Sequence, residues 1–298
     1  MRAAALALSM GAVLAACGGG GGGSPRTAAT IRSLANGATS FSMAEAQSSV
    51  AVGTGRFVFG LIPRAGAPAS GGSVQVWVAS DDRAPATGPF PVRYVTWSAP
   101  RSDAFGKPPV PGFYEAEVTV PGPGNWLVAA RGVVGGRSIV AVGATAAEPR
   151  PVAALGSPAL SEPTPTASSP TEAAAIDTRI PPTPMHYISL DAALRSGRPT
   201  VVVFATPLLC SSRMCGPVVD EVLDVYDGLG PTKANFVDVE VYPQRDSKRP
   251  APEFLRWGFQ SEPWVLVIDR AGIIRGRFEG PVVAAQITDA LQPLLSQP

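Results

Sequence analysis

Hydrophobic residues alternate with other residues along much of the chain between residues 51 and 146. Val74, Val76 and Val78 show the two-residue period of a half-buried strand. Similar short segments, several separated by Pro-Gly turns, lie at 57–62, 92–97, 113–120, 126–130 and 138–142. The pattern predicts an all-β unit over residues 51–146.

The pattern changes towards the C-terminus, where strand and helix signals alternate. Residues 200–204 form a continuous β-branched and apolar run, which is typical of a buried strand. Apolar residues then repeat at helical spacing from Val218 to Leu229. The remaining predicted elements are a first short helix at 189–196, a strand at 235–241, a helix at 253–257, a hairpin of 264–269 with 273–278, and a closing helix at 284–295. After the first short helix, residues 185–298 therefore have the order β-α-β-α-β-β-α.

The strand number and spacing in residues 51–146 predict an immunoglobulin-like β-sandwich. Residues 112–118 and 124–128 also resemble the last strands of small exported sandwiches, some of which handle metals. Because residues 50–150 contain no His, Cys or Met, we expect no soft-metal site in this unit.

Two further segments are predicted to lie outside the folded units. Residues 147–184 are rich in Pro among Ala, Ser and Thr, a composition that favours a semi-stiff extended linker without folded elements. Residues 17–50 are rich in Gly, Ala and Ser and predict a flexible tether.

The N-terminus has the pattern of an export signal. Arg2 precedes an apolar run over residues 3–16, which is too short to span a bilayer. The run ends in Leu-Ala-Ala-Cys at 14–17 and is followed by six glycines. This sequence resembles the lipobox of bacterial lipoproteins, with residues 1–16 as the signal peptide. The resemblance implies that Cys17 carries a lipid anchor and that the protein lies outside the cytoplasm, on a membrane of the cell envelope. An ordinary cleavable signal is the alternative.

Composition limits the classes of function. Lys and Arg number 24 against 23 Asp and Glu, so no global field favours a polyanion and we expect no nucleic-acid partner. Hydrophobic residues make up 45% of the chain, enough for sizeable cores. The single His excludes any mechanism that requires two. With Cys17 assigned to the lipid, Cys210 and Cys215 remain as two thiols in a compartment where disulfides persist.

Residues 186–295 resemble the thioredoxin superfamily. The most specific match is segment 257–269 followed by Gly272: a helix end, Pro263, an apolar strand and a Gly turn. In that family the matching Pro has a cis peptide bond and lies beside the active cysteines. The resemblance therefore implies a cis bond at Pro263 that faces the 210–215 loop, with Glu262 and Trp264 in the substrate groove.

The cysteines depart from the family's Cys-x-x-Cys pattern. Its Cys-Gly-Pro recurs at 215–217, but Val218 replaces the second Cys and Cys210 lies five positions upstream. Pro217 is tolerated only in a first helical turn, so Cys215 should begin the helix, where free backbone N–H groups favour a thiolate. The two sulfurs can meet only if residues 210–214 form an irregular loop.

Three functions remain open for this domain. The first is thiol–disulfide exchange through Cys210 and Cys215 on exported protein thiols or disulfides, without a cofactor. The second is a non-enzymatic thioredoxin-like adaptor with a structural disulfide. The third is a copper-handling protein of SCO type, which uses two Cys and a His. Because Met185 and His186 precede the first strand, that match is poor and no metal ligands are assigned. The sequence does not determine the oligomeric state.

Several other polar residues have weaker predictions. We expect Asp220, Glu221 and Asp224 to form a solvated helix face, and His186 to be a surface or packing residue. Asp238 and Glu240 lie on the central strand, where the family often has a buried acid that assists proton transfer.

Overall fold

The chain has 298 residues. The computed structural model describes residues 28–37, 39–98, 110–243, 245–246 and 249–296. The predicted signal peptide and Cys17 lie outside the described residues. Among the residues that are described, no helix is both long and apolar enough to cross a membrane.

One eight-stranded sheet occupies the N-terminal half of the described chain. Its strands are β1 Thr39–Glu45, β2 Ser49–Ala51, β3 Gly53–Pro63, β4 Ser73–Ala79, β5 Thr87–Thr96, β6 Gly112–Val120, β7 Gly124–Val134 and β8 Arg137–Glu148. The order is β1-β3-β6-β5-β4-β7-β8-β2, and β1 also pairs with β8 in parallel. The sheet therefore closes into a barrel, whereas an immunoglobulin-like sandwich would have two separate sheets.

The closing strand comes from the segment that was predicted to be a tether. In β1, Phe41 and Met43 pack against the barrel core, which also contains Phe57 and Phe59. A short helix, α1 Ile31–Leu34, precedes β1 and buries its two apolar residues against strands β4 and β7. The tether prediction is therefore wrong for the described part of residues 17–50, because these apolar side chains have partners in the barrel.

The predicted linker is also folded in part. Helix α2 Pro170–Ile176 begins after Ser169, whose hydroxyl accepts a hydrogen bond from the Glu172 N–H. Buried residues are distributed through the segment, from Glu162 to Thr183. Residues 147–184 thus lie along the C-terminal unit and do not form a free spacer. The reason is that their polar groups pair with buried groups of that unit.

The C-terminal unit has the predicted order of elements. After α3 Leu190–Arg195 come β9 Thr200–Ala205, α4 Cys215–Leu229, β10 Asn235–Glu240, α5 Pro252–Arg256, β11 Trp264–Ile268, β12 Ile274–Glu279 and α6 Ala284–Leu295. The sheet order is β10-β9-β11-β12, with β9 and β10 parallel and β11 and β12 antiparallel. The β-α-β-α-β-β-α prediction is confirmed.

The barrel and the α/β unit share a hydrophobic core. Val58, Trp97 and Phe113 of the barrel belong to the same buried cluster as residues of α4 and α6, such as Val222 and Ile287. Burying these side chains together stabilises both units, at about 1.5–3 kcal/mol for each large apolar side chain.

The same contact contradicts the expectation of a solvated face on α4. Glu221 is buried, and its carboxylate accepts hydrogen bonds from the backbone N–H groups of Ser98 and Ala284. Asp220 is buried in an ion pair with Arg179 of the former linker, at 2.8 Å. The barrel and the 147–184 segment cover this face, so its acids have partners that the helix alone does not supply.

Candidate functional site

Cys210 and Cys215 form a disulfide where the chain passes from β9 to α4. Their Cα atoms are 6.0 Å apart. Residues 210–214 are an irregular loop, as the position of Pro217 required, and Cys215 is the first residue of α4. Arg213 has a φ of +59°, a left-handed conformation that reverses the chain between the two cysteines.

The two sulfurs have different environments. Cys215 is fully buried, whereas Cys210 is half-buried. The Cys215 backbone N–H donates to the Cys210 Sγ at 3.2 Å, and the Ser212 hydroxyl lies 3.2 Å from the same sulfur. In the reduced protein these groups would stabilise a thiolate on Cys210. The sequence had assigned this role of the helix N-terminus to Cys215.

The Glu262–Pro263 peptide bond is cis, as predicted. Glu262 and Pro263 line the same cavity as Cys210, so this bond faces the 210–215 loop. Trp264 does not line this cavity. Its ring is buried, stacks on Phe259 at 4.1 Å between centroids and is not among the lining residues. The expected position of Trp264 in the groove is therefore wrong, because its side chain points to the opposite face of the sheet.

The cavity has a volume of about 540 Å³ and lies between the two units. One wall is the cysteine loop, with Leu209, Cys210 and Met214, and a second is the segment 260–263. The third wall is residues 45–48 of the barrel. We call this cavity the cysteine cleft.

Glu262 is an acid directly beside the disulfide. One of its carboxyl oxygens and the two sulfurs all lie within 4.8 Å of one another. Burial raises the pKa of Glu262 to about 7, although hydrogen bonds from Thr206 oppose the rise. Its Oε2 has no hydrogen-bond partner among the described residues. The sequence placed Glu262 in the groove but gave no indication of this acid–sulfur contact.

A second buried acid, Glu240, also contacts Thr206. Glu240 accepts hydrogen bonds from the Thr178 N–H and hydroxyl, at 2.8 and 3.0 Å. Burial raises the pKa of Glu240 to about 8. A side-chain hydrogen bond with Thr206 opposes part of this rise in the pKa of Glu240, as it does for Glu262. Thr206 thus connects Glu240 to the acid beside the sulfurs. The expectation that Asp238 and Glu240 lie on the central strand is wrong, because β10 is an edge strand of the sheet and pairs with β9 on one side.

His186 is buried and bound to carboxylates, so the expectation of a surface or plain packing residue is wrong. Its Nε2 lies 3.1 Å from an Asp177 oxygen and 3.8 Å from an Asp238 oxygen. Burial opposes charge on the imidazole, but these two carboxylates outweigh it and raise the pKa of His186. Burial also raises the pKa of Asp238, and Asp177 adds to the rise.

Within the described part of the chain, two groups of residues could hold a metal ion. One consists of Cys210, Cys215 and Glu262, and the other of Asp177, His186 and Asp238. In the second group the carboxylates already accept hydrogen bonds, from Thr183 among others. The first group opens into the cysteine cleft and has two soft sulfur ligands once the disulfide is reduced.

The chain is similar to known proteins at the level of solved structures. No protein-family model matches the chain, and no curated protein matches it either. Among solved structures, the chain is similar to a thiol:disulfide interchange protein of the thioredoxin family from Chlorobium tepidum TLS. The identity is 20%, the match covers 46% of this chain and 100% of that one, and the TM-score is 0.29. The element order, the sheet order and the cis-Pro beside a disulfide at a helix start define the α/β unit as thioredoxin-like.

Proposed function

We propose that this protein is a thiol–disulfide oxidoreductase of thioredoxin type, held by a lipid on Cys17 outside the cytoplasm, that acts on exported thiols or disulfides. One observation carries the activity: a disulfide at the start of α4 exposes one sulfur to a cleft beside a cis-Pro. The anchor and the location are supported by the lipobox pattern at residues 14–17.

The difference in exposure assigns the two sulfurs their roles. A substrate disulfide reaches Cys210 through the cleft but cannot reach the fully buried Cys215. The Cys210 thiolate attacks one substrate sulfur, forms a mixed disulfide and releases the other substrate sulfur as a thiolate. The Cys215 sulfur then attacks Cys210, which reforms the protein disulfide and releases the second substrate thiolate. Two electrons pass from the protein to the substrate.

Glu262 is placed to move the proton in the second step. Cys215 must lose its proton before it attacks, and the Glu262 carboxylate is within 4.8 Å of its sulfur. A pKa of about 7 suits a group that accepts and returns a proton near neutral pH. The proton on Glu262 then passes to a released substrate thiolate, and the carboxylate is regenerated.

Serine variants of the two cysteines test this mechanism. We expect Cys215→Ser to accumulate a stable mixed disulfide between Cys210 and an insulin chain, because no thiol remains to resolve it. Cys210→Ser should form none, since its remaining sulfur is buried. Both variants should lose insulin reduction, and mass spectrometry of the trapped species identifies the linked cysteine. A mixed disulfide on Cys215 in the Cys210→Ser protein would contradict the assignment.

If the protein is instead an adaptor with a structural disulfide, we expect reduction to destabilise it and no reductase activity to be found. A bridge between residues only five apart closes a short loop, so its entropic effect on stability is small. We therefore expect reduction to change the melting temperature little while the reduced protein reduces insulin. A large loss of stability in a wild-type protein without reductase activity would favour the adaptor.

Metal handling is a second candidate because Cys210, Cys215 and Glu262 lie close enough to share an ion. His186, the single His of the chain, is bound to Asp177 and does not line the cleft, so an SCO-type ligand set is incomplete. Titration of the reduced protein with Cu(I) against a competing chelator tests this function. Tight binding that is lost in Cys210→Ser and Glu262→Gln would support it.

A further inference from the structure

The barrel supplies one wall of the cysteine cleft, and this wall is held firmly. Gln47 in the turn between β1 and β2 donates from its amide to the Ser49 and Arg56 carbonyls at 2.9 and 2.8 Å. Its carbonyl oxygen accepts from the Val58 N–H at 3.0 Å. A buried side chain with three backbone partners fixes the shape of residues 45–48.

The same wall is attached to the thioredoxin-like domain. The Ser48 N–H donates to Glu279 at 2.7 Å, and the Ser261 hydroxyl donates to the same carboxylate at 3.1 Å. Gly280 packs against Ala46 so closely that a Cβ there would lie 1.9 Å from the Ala46 oxygen. The cleft is therefore a preformed space between two units, and its volume is in the range of small-molecule sites, about 300–1,000 Å³.

The described residues that line the cleft include acids but no Lys, Arg or His. Glu262 comes from the cis-Pro segment. Glu45 is exposed on the barrel wall, where one of its carboxylate oxygens accepts a hydrogen bond from the Ala144 N–H at 2.9 Å. Arg56 and Arg277 are nearby cations, but they pair with Glu115 and Glu279. Arg213 is exposed and does not line the cleft. Substrate sulfur atoms that approach Cys210 therefore enter a space lined by two carboxyl groups and, among the described residues, by no cationic side chain, so its charge is negative when these acids are ionised.

We infer that the cysteine cleft selects disulfides flanked by cationic groups, such as ammonium or guanidinium, over anionic disulfides, and that Glu45 of the barrel contributes to this choice. The inference rests on the proposed function, because it concerns the substrate of the same site. It also assigns a role to the barrel, which completes the substrate site of the thioredoxin-like domain.

Three disulfides of similar size test the selection: cystamine, bis(2-hydroxyethyl) disulfide and 3,3′-dithiodipropionate. Their charges are positive, zero and negative. We would measure kcat/KM for each with the full-length reduced protein at low ionic strength. Each value is divided by the rate constant of the same disulfide with 2-mercaptoethanol, which removes differences in intrinsic reactivity. We expect the normalised values to fall in the order given, by about tenfold or more overall, since a cleft of one charge sign changes association rates by 10- to 1,000-fold.

A pair of matched variants tests the role of the barrel wall. Glu45→Gln removes a charge from the cleft, and Glu117→Gln removes one from an exposed barrel position outside it. We expect Glu45→Gln to lower the ratio of the normalised kcat/KM values for cystamine and the neutral disulfide by about threefold. Adding about 0.1 M salt to the wild type should also lower this ratio, because salt screens the charges. Glu117→Gln should leave this ratio unchanged.

The outcomes separate the two proposals. If the neutral disulfide is reduced but all three normalised values are equal, the charge selection is wrong and the oxidoreductase stands. If cystamine is preferred and Glu45→Gln does not weaken the preference, the role of the barrel is wrong. If all three disulfides and insulin are inert, the proposed oxidoreductase activity itself fails.

Discussion

Replacing Gly280 with Ala would test how tightly the barrel is joined to the thioredoxin-like domain. Gly280 follows β12 and its N–H donates to the Pro263 carbonyl at 2.9 Å. Its φ is +75°, a conformation that L side chains rarely adopt. An added Cβ would lie 1.9 Å from the Ala46 oxygen and 3.0 Å from the Ala46 carbonyl carbon. The Ala46 backbone would have to move by more than 1 Å to restore an ordinary contact.

Two effects determine how much Gly280→Ala lowers the free energy of unfolding. An Ala in a left-handed conformation costs about 1–2 kcal/mol. Overpacking against a fixed backbone costs about 1–3 kcal/mol more. Gly272 provides a matched control, because its φ is +78° but nothing lies within 4 Å of its would-be Cβ. Gly272→Ala should therefore lose only the conformational part, so the two variants should differ by about 1–3 kcal/mol in the free energy of unfolding.

Urea unfolding of the two purified variants and the wild type measures this difference. A difference of 1 kcal/mol also shifts the melting temperature by about 2–4 °C in a chain of comparable size, so thermal unfolding provides a second measurement. Equal losses in Gly280→Ala and Gly272→Ala would refute the contact between Ala46 and Gly280. The fixed wall of the cysteine cleft would then lose its main steric support.

Three further predictions concern other parts of the molecule. Cys17→Ser should release the protein from the membrane fraction; a variant that stays bound with the same lipid mass would contradict the anchor. Burial raises the pKa of Glu240 to about 8 from 4.5, so the folded state holds a proton that the unfolded state releases, and stability should fall as pH rises through this interval. Glu240→Gln should make the free energy of unfolding less dependent on pH between 5 and 8, whereas an unchanged slope would exclude Glu240 as its source. Arg179→Met should lower the free energy of unfolding by about 3–5 kcal/mol, because it leaves Asp220 buried without its cation. Arg32→Met, at an exposed ion pair, should lower it by less than about 1 kcal/mol. Similar decreases in the two variants would refute the argument from burial.

Local sequence determined most of the thioredoxin-like domain. The β-branched run before Ala205, the helical period after Cys215 and the turn at Gly272 each specify an element from a few neighbouring residues. The position of Pro217 predicted the helix start and hence the irregular loop between the cysteines. The cis bond before Pro263 followed from the family resemblance of one short segment.

The closed barrel, the folded 147–184 segment and the acid beside the sulfurs were decided by tertiary structure. Strand β1 closes the barrel by pairing with β8, about a hundred residues away. The hydrophobic pattern of neighbouring residues does not indicate which distant strand is the partner. Asp220 and His186 looked like surface residues because their partners, Arg179 and Asp177, lie in a segment whose composition indicated a linker. Glu262 became an acid with a raised pKa only because packing removes its carboxyl from water beside the two sulfurs. Burial of a polar group depends on what covers it, and here the covering elements are distant in sequence.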